Sequence, residues 1–388
     1  MEAMISCIRN GLDNALVFTQ PRDAIASTQL LCRIGGLLMI KLSFHDLVHV
    51  TEGDTVADTL QKTADLVAHA EALGFTRYWI AEHHGLAGVA SSATPVLIGH
   101  VAAATRTIRV GAGGIMLPNH APLVVAEQFG TLDALYPGRI DLGLGRAPGG
   151  DGRVIRALRR TLEGGPNAFP SDVEELRSYF ADDGKTGIVA TPGAGAKPQI
   201  WILGAGLNGA KLAAALGLPY AFASHFAPDA LDQALETYRR EFRPSAQLAE
   251  PYVAAGLNVY AADSDEEAEL IASSQQQFTV ELFAGKPGKL QPPVAGYRDR
   301  AGSRGVMTID QVLRCSVTGG PAKIAAGLAA FVERTQIEEI MVSSAIYDHG
   351  ARRRSLEVTA KAASQISGRR VGDADGRDRA ERLQISGN

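Results

Sequence analysis

One arginine, Arg146, lies in a glycine-rich stretch directly after an apolar run, Ile140 to Leu144, that predicts a buried strand. Glycines allow a ligand to approach the backbone closely, and a guanidinium can hold a phosphate through two parallel hydrogen bonds. The pattern therefore indicates a phosphate site at the end of this strand. A glycine-rich turn with a solvated arginine is an equally simple interpretation of this stretch alone.

A carboxylate and two imidazoles follow one another at Glu82, His83 and His84, after another predicted strand. Imidazoles titrate near neutral pH and can transfer protons. Neighbouring residues of an extended segment point to opposite sides, so we expect at most one of the two histidines to face a central ligand. The spacing is weak evidence for a metal site, and we predict none. Alternatively, His83 and His84 are structural residues whose ring nitrogens are satisfied by hydrogen bonds.

Two further glycine-rich turns follow predicted strands. Gly113 and Gly114 would let a flat ring lie against the backbone, or they mark a bulge at a crowded barrel rim. The run from Gly204 to Gly209 has the form GxGxxG. A nicotinamide dinucleotide site would need an acidic residue about 20 positions later, where His225 and its neighbours stand instead. We therefore expect the more general function, in which free amides at a helix start bind phosphate.

The elements that position these turns alternate along the chain as strand and helix. Such alternation predicts a parallel sheet with right-handed crossovers, either a closed barrel or an open doubly wound sheet. Eight strands favour an α/β fold of the (β/α)8 TIM-barrel type. Two long loops, residues 162–195 after strand 4 and 283–317 after strand 7, are predicted insertions over or beside the barrel mouth. The predicted strands cover residues 39–44, 77–81, 108–112, 140–144, 199–203, 220–223, 252–260 and 339–343.

Composition excludes several classes of protein. The formal net charge of −4 over 388 residues gives no nucleic-acid-binding signature. Three scattered cysteines suit a reducing compartment, and no apolar run is long enough to span a membrane. We expect a soluble, cytoplasmic protein with an N-terminal extension at residues 1–38, a barrel domain at 39–366 and a flexible tail at 367–388.

Four motifs in register resemble the bacterial luciferase-like flavin monooxygenases, from about Met39 to Ile366. The resemblance implies a barrel that holds FMN at its mouth, where reduced flavin and dioxygen form a flavin peroxide that oxidises a small organic substrate such as an aldehyde or ketone. The motifs are Glu82-His83-His84, the run Val110 to Pro118, Ala126-Glu127-Gln128 and the run Gly138 to Gly143.

The resemblance also assigns roles to residues. His83 matches the family's catalytic histidine, with His45 as the next candidate. Arg146 matches the arginine on the flavin phosphate, and Gly113 and Gly114 match a pair whose cis peptide supports the flavin ring. The family often supplies a carboxylate or hydroxyl near the phosphate, and this chain has other residues there: Gly204, Ala205, Gly206 and Asn208.

Partners and alternatives follow from the same resemblance. Electrons would come from a separate flavin reductase, or from NAD(P)H acting indirectly. A nicotinamide- or deazaflavin-linked dehydrogenase and a non-catalytic flavin-binding protein are the alternative functions.

The predicted helices at residues 93–104 and 123–135 are apolar on more than one face, so we expect a homodimer.

Overall fold

A computed structural model describes residues 40–147, 152–158, 168–181 and 187–366. Nine parallel strands are found in these residues, and eight of them close on themselves in the order β1, β2, β3, β4, β5, β6, β7, β9. The predicted TIM barrel is confirmed. The strands are β1 (Lys41–Asp46), β2 (Arg77–Ile80), β3 (Arg109–Met116), β4 (Ile140–Gly145), β5 (Gln199–Gly204), β6 (Tyr220–Phe222), β7 (Val253–Ala261), β8 (Ser316–Gly319) and β9 (Glu339–Ser343).

Helices cover the outside of the barrel, so the strands are buried on both faces and read as nearly continuous apolar runs. The first helix begins at Thr55, where the hydroxyl accepts from the Asp58 amide and the Asp58 carboxylate accepts from the Thr55 amide. The helices in the described residues are α1 (Val56–Ala72), α2 (Thr94–Ala103), α3 (Pro122–Leu135), α4 (Gly152–Leu158), α5 (Phe169–Ala181), α6 (Leu207–Leu216), α7 (Leu231–Glu241), α8 (Asp265–Phe283), α9 (Tyr297–Arg300), α10 (Gly302–Val312), α11 (Pro321–Thr335) and α12 (His349–Ala363).

The region after β7 differs from the sequence prediction. Residues 283–317 are predicted as a long loop, but the structure contains α9 and α10 there, followed by β8. Strand β8 pairs with β7 outside the barrel, and α11 then precedes β9. The prediction missed these elements because α9 and β8 are only four residues long and depend on packing against their neighbours.

This insertion lies over the loops that follow β1 and β2. The Leu290 amide donates to the Val50 carbonyl at 2.9 Å, and the Glu52 amide donates to the Leu290 carbonyl at 2.8 Å. The Phe278 ring of α8 packs edge-on against His49, with centroids 4.9 Å apart. Because His49 follows β1, these contacts place the end of α8 at the mouth of the barrel.

The opposite end of the barrel is closed by a buried ion-pair network. Arg77 of β2 donates to Glu339 of β9 and to Asp141 of β4, at 2.7 Å in both cases. The rings of Trp79 and Trp201 pack inside the barrel with centroids 5.1 Å apart. The interior of the barrel is therefore filled by side chains, and in TIM-barrel enzymes the active site lies at the mouth formed by the carboxyl ends of the strands.

Residues 1–39 and 367–388, which contain the predicted extension and tail, lie outside the described residues, as does the 148–150 end of the Arg146 stretch. Among the helices that the structure describes, none is long and apolar enough to cross a membrane.

Candidate active site at the barrel mouth

Glu82, which comes two residues after β2, is buried and binds two imidazoles. Its Oε1 accepts from Nε2 of His84 at 2.8 Å and from Nε2 of His120 at 2.9 Å, and its Oε2 accepts from the Met116 amide at 3.0 Å. Burial opposes ionisation, but His120, His84 and the Met116 amide together hold the pKa of Glu82 below its ordinary value. Glu82 therefore joins the ends of β2 and β3.

His83 lies near His45 and His225, whereas its neighbour His84 binds Glu82. Burial is the main reason that the pKa of His45 falls to about 4 and that of His225 to about 3, and the nearby His83 lowers both further. The half-buried His83 is thus within electrostatic range of two imidazoles from other strands. The structure brings together His83 and His45, both candidates from the sequence.

His45 is the most enclosed of these imidazoles, with 7% of its surface exposed. Its Nε2 lies 2.6 Å from the Gly113 carbonyl oxygen, and its ring centroid lies 4.9 Å from that of His225. Among the described residues no hydrogen-bond partner meets Nδ1 of His45. At neutral pH this imidazole is therefore uncharged, since burial disfavours its cation.

Sequence reasoning missed His225 and His49 as members of this group. His225 follows β6, and an alanine Cβ at Gly256 would lie 2.0 Å from its Nδ1, so the imidazole packs directly on the β7 backbone. Burial, with Arg352 as the next cause, lowers the pKa of His49 to about 3. Both residues lie just beyond the ends of strands, which is the signal that could have identified them.

Gly113 and Gly114 form the predicted bulge in β3. The register with β4 shifts between Ala112 and Ile115, and the Gly113–Gly114 peptide bond is cis, as the resemblance implies. A Cβ at Gly113 would lie 2.9 Å from the His45 ring, and one at Gly114 would lie 2.7 Å from the backbone of β4. Neither position has room for a side chain.

Arg146 and the GxGxxG turn lie at adjacent strand ends, because Gly145 of β4 pairs with Leu203 of β5. Arg146 is exposed, as are Ala205 and Asn208 of the turn. Gly206 is the N-cap of α6 and provides no side chain to cap it, and the first turn of α6 contains no acidic residue. An exposed arginine and the uncapped amides of a helix therefore follow neighbouring strands, and these are donors of the kind that bind phosphate.

Glu82, His84 and His120 lie close enough together to hold a divalent metal ion, for which the sequence alone provides only weak evidence. Their potential ligand atoms all lie within 4.8 Å of one another. Two imidazoles and a carboxylate suit zinc or iron. The same three groups already satisfy one another by hydrogen bonds, so the cluster is complete without an ion.

The residues at the mouth fit a flavin mononucleotide. Arg146, which is exposed, and the amides at the start of α6 suit its phosphate. Above Gly206, an added Cβ would meet nothing within 4 Å, so the backbone there is open to a ligand.

Comparison with known proteins gives concordant results along nearly the whole barrel. A family model described as luciferase-like monooxygenase matches residues 39–338. A luciferase-like monooxygenase from Escherichia coli (strain K12) is 47% identical over 330 residues, which cover 85% of this chain and 98% of that protein.

Solved structures show the same fold. The crystal structure of apo-MsnO8 is 34% identical with a TM-score of 0.75, covering 85% of this chain and 100% of that one. The oxygenating constituent of 3,6-diketocamphane monooxygenase from Pseudomonas putida, solved in complex with FMN, is 18% identical with a TM-score of 0.63. That match covers 84% of this chain and 99% of the other.

Proposed function

This chain belongs to the luciferase-like monooxygenase family, and from that premise we propose that it is an FMN-dependent monooxygenase that uses reduced flavin and dioxygen to oxidise a small organic substrate such as an aldehyde or ketone. The observation that carries the proposal is the grouping of His83 with the neutral His45 and His225 at the same barrel mouth as Arg146 and the start of α6. The diketocamphane enzyme, which has the same fold, is solved with FMN at 18% identity and supports this choice of cofactor.

We assign the binding of FMN to two groups of residues. Arg146 and the amides at the start of α6 would hold the phosphate, and the side-chain-free bulge at Gly113 and Gly114 would face the ring. When bound, reduced FMN supplies the electrons that activate dioxygen. The electrons would come from a partner flavin reductase, or from NAD(P)H acting indirectly.

The protein's own part in the reaction is proton transfer and the exclusion of water. His83 matches the family's catalytic histidine, and an imidazole is the side chain that most often acts as general acid or base. Burial keeps His45 and His225 uncharged, so neither places a positive charge beside His83. Phe278 of α8 and Leu290 of the insertion cover the loops of β1 and β2 and would limit the entry of water.

An anaerobic titration tests the proposal. Purified protein is titrated with reduced FMN and then mixed with oxygenated buffer containing a panel of aldehydes and ketones, with ¹⁸O₂ as the label. We expect saturable binding of reduced FMN and ¹⁸O in the product of at least one panel member. Failure to bind reduced FMN would overturn the proposal. Binding without any effect on the oxidation of FMN would indicate a flavin-binding protein, and substrate oxidation without dioxygen would indicate a dehydrogenase.

A further inference from the structure

The chain turns sharply at Val48, two residues after β1. The φ angle of Val48 is +55°, in the left-handed region that β-branched residues rarely occupy, and its side chain is fully buried. The Val48 amide donates to Oδ1 of Asp46 at 2.8 Å. An unusual backbone conformation persists only where its surroundings enforce it, and here the Asp46 carboxylate holds the turn.

Asp46 is itself held by side chains of two other elements. It is completely buried, and it accepts from the Tyr78 hydroxyl of β2 and, at 2.7 Å, from Nη2 of Arg352 in α12. Burial opposes ionisation of Asp46, but Arg352 and Tyr78 hold the pKa of the carboxyl below its ordinary value. Nε of Arg352 donates to the Ser344 carbonyl, just after β9, at 3.1 Å. Arg352 therefore ties the end of β1 to the end of β9.

The segment that contains the turn, residues 48–52, carries the cover of the barrel mouth, which is residues 278–290 of α8 and the insertion. The Val50 amide donates to the Gly88 carbonyl of the loop after β2 at 2.9 Å. The Val50 carbonyl accepts from the Leu290 amide of the cover, also at 2.9 Å. The loop after β2 and the cover are therefore both bound to a segment whose course the turn sets.

We propose that Arg352 is a positioning residue that keeps this cover closed over the barrel mouth. The contacts run from Arg352 to Asp46, from Asp46 to the amide of Val48, and along the chain to the bonds of Val50. Without the guanidinium, the buried carboxylate would have no cation beside it, so Asp46 would take up a proton or leave its position. Either change weakens its bond to the Val48 amide, because an ionised acceptor binds more strongly than a neutral one.

Hydrogen exchange of the protein without flavin tests the proposal. In Arg352→Gln we expect the amides of Val50 and Leu290 to exchange about ten- to a hundredfold faster, because local opening is easier once a charge-assisted bond is lost. Amides of β5, across the barrel, should change far less. Arg354→Gln is the matched control, since this neighbouring arginine of α12 pairs with Asp263 in solvent, and exchange should stay within about twofold.

The conservative variant Arg352→Lys separates positioning from general stability. It keeps the charge but not the planar fork, so it should accelerate the same two amides by a smaller factor. It also supplies the measurement where Arg352→Gln does not fold. Unchanged exchange at Val50 and Leu290 in Arg352→Gln, or in Arg352→Lys where the glutamine variant does not fold, would overturn the proposal. Acceleration that is equal in β5 would overturn it as well.

The effect on the reaction rests on the proposed function. Reduced FMN that passes two electrons and two protons to dioxygen without oxygenating a substrate gives oxidised FMN and hydrogen peroxide. An open mouth admits water, so Arg352→Gln should raise the fraction of consumed dioxygen that is released as peroxide, and Arg354→Gln should not. An unchanged fraction would overturn the link to the reaction. Because the exchange measurement needs neither flavin nor substrate, the positioning role can fail while the proposed function stands, and the reverse is also true.

Discussion

At the scale of single residues, burial sets the charge of two histidines at the barrel mouth. It keeps His45 and His225 neutral at physiological pH, because desolvation disfavours the imidazolium form. His83 lies close to both of them and matches the family's catalytic histidine, so we assign proton transfer to His83.

We expect His83→Ala to lower turnover about 100- to 10,000-fold and to leave the dissociation constant for FMN nearly unchanged, since loss of a general acid or base does not remove a phosphate contact. Steady-state kinetics together with a flavin titration would measure both effects. His84→Ala is the matched control, because His84 binds Glu82 on the other side of the segment. Normal turnover in His83→Ala, or joint loss of flavin and activity, would make His45 the next candidate.

Arg146→Ala should weaken FMN binding about ten- to a hundredfold, because a charge-assisted contact to phosphate is worth on the order of 1.5–3 kcal/mol. Arg146→Lys should rescue it poorly, since lysine keeps the charge but lacks the planar fork. Fluorescence titration of FMN would measure both variants. Arg240→Ala, an exposed arginine of α7 whose ion pairs are on the surface, is the control. Unchanged affinity in Arg146→Ala would place the phosphate elsewhere.

At the scale of elements, the bulge in β3 depends on glycine for a packing reason. In Gly113→Ala the new methyl group would lie 2.9 Å from both His45 and Trp79. We expect it to lower the free energy of unfolding by about 1–3 kcal/mol, as overpacked cores do, in a urea titration. Gly99→Ala is the control, because its Cβ would meet Leu132 at an ordinary 3.6 Å in the middle of α2. A Gly113→Ala protein as stable as the control variant would refute this account of the bulge.

At the scale of the whole molecule, α2 and α3 leave large apolar side chains in solvent. Val96 is 72% exposed, Val124 is 44% exposed and Leu135 is 64% exposed. Exposed apolar surface of this kind often marks an interface between proteins. We therefore propose that these two helices form the interface of a homodimer.

Sedimentation at micromolar concentration should give a dimer, and the double variant Val96→Glu, Val124→Glu should give a folded monomer, because carboxylates are costly to bury in an apolar interface. Met307→Glu, which changes a side chain of α10 that is 71% exposed, is the control and should stay dimeric. A monomeric unmodified protein would defeat the proposal.

The sequence by itself determined the barrel and most of the residues at its mouth. Strand and helix periodicities are local, and residues at the ends of parallel strands must meet at one edge, so His83, Arg146 and the glycine turns could be named in advance. The sequence could not identify α9, α10 and β8, whose stability comes from packing on α8 and β7.

Only the tertiary structure decided how the histidines differ. No sequence motif connects His45, His49 and His225. Each imidazole is neutral because other strands and the insertion bury it. The tautomer of His45 likewise depends on the carbonyl of Gly113, a residue 68 positions away. Desolvation and long-range hydrogen bonds are properties of packed neighbours, which no local pattern of residues contains.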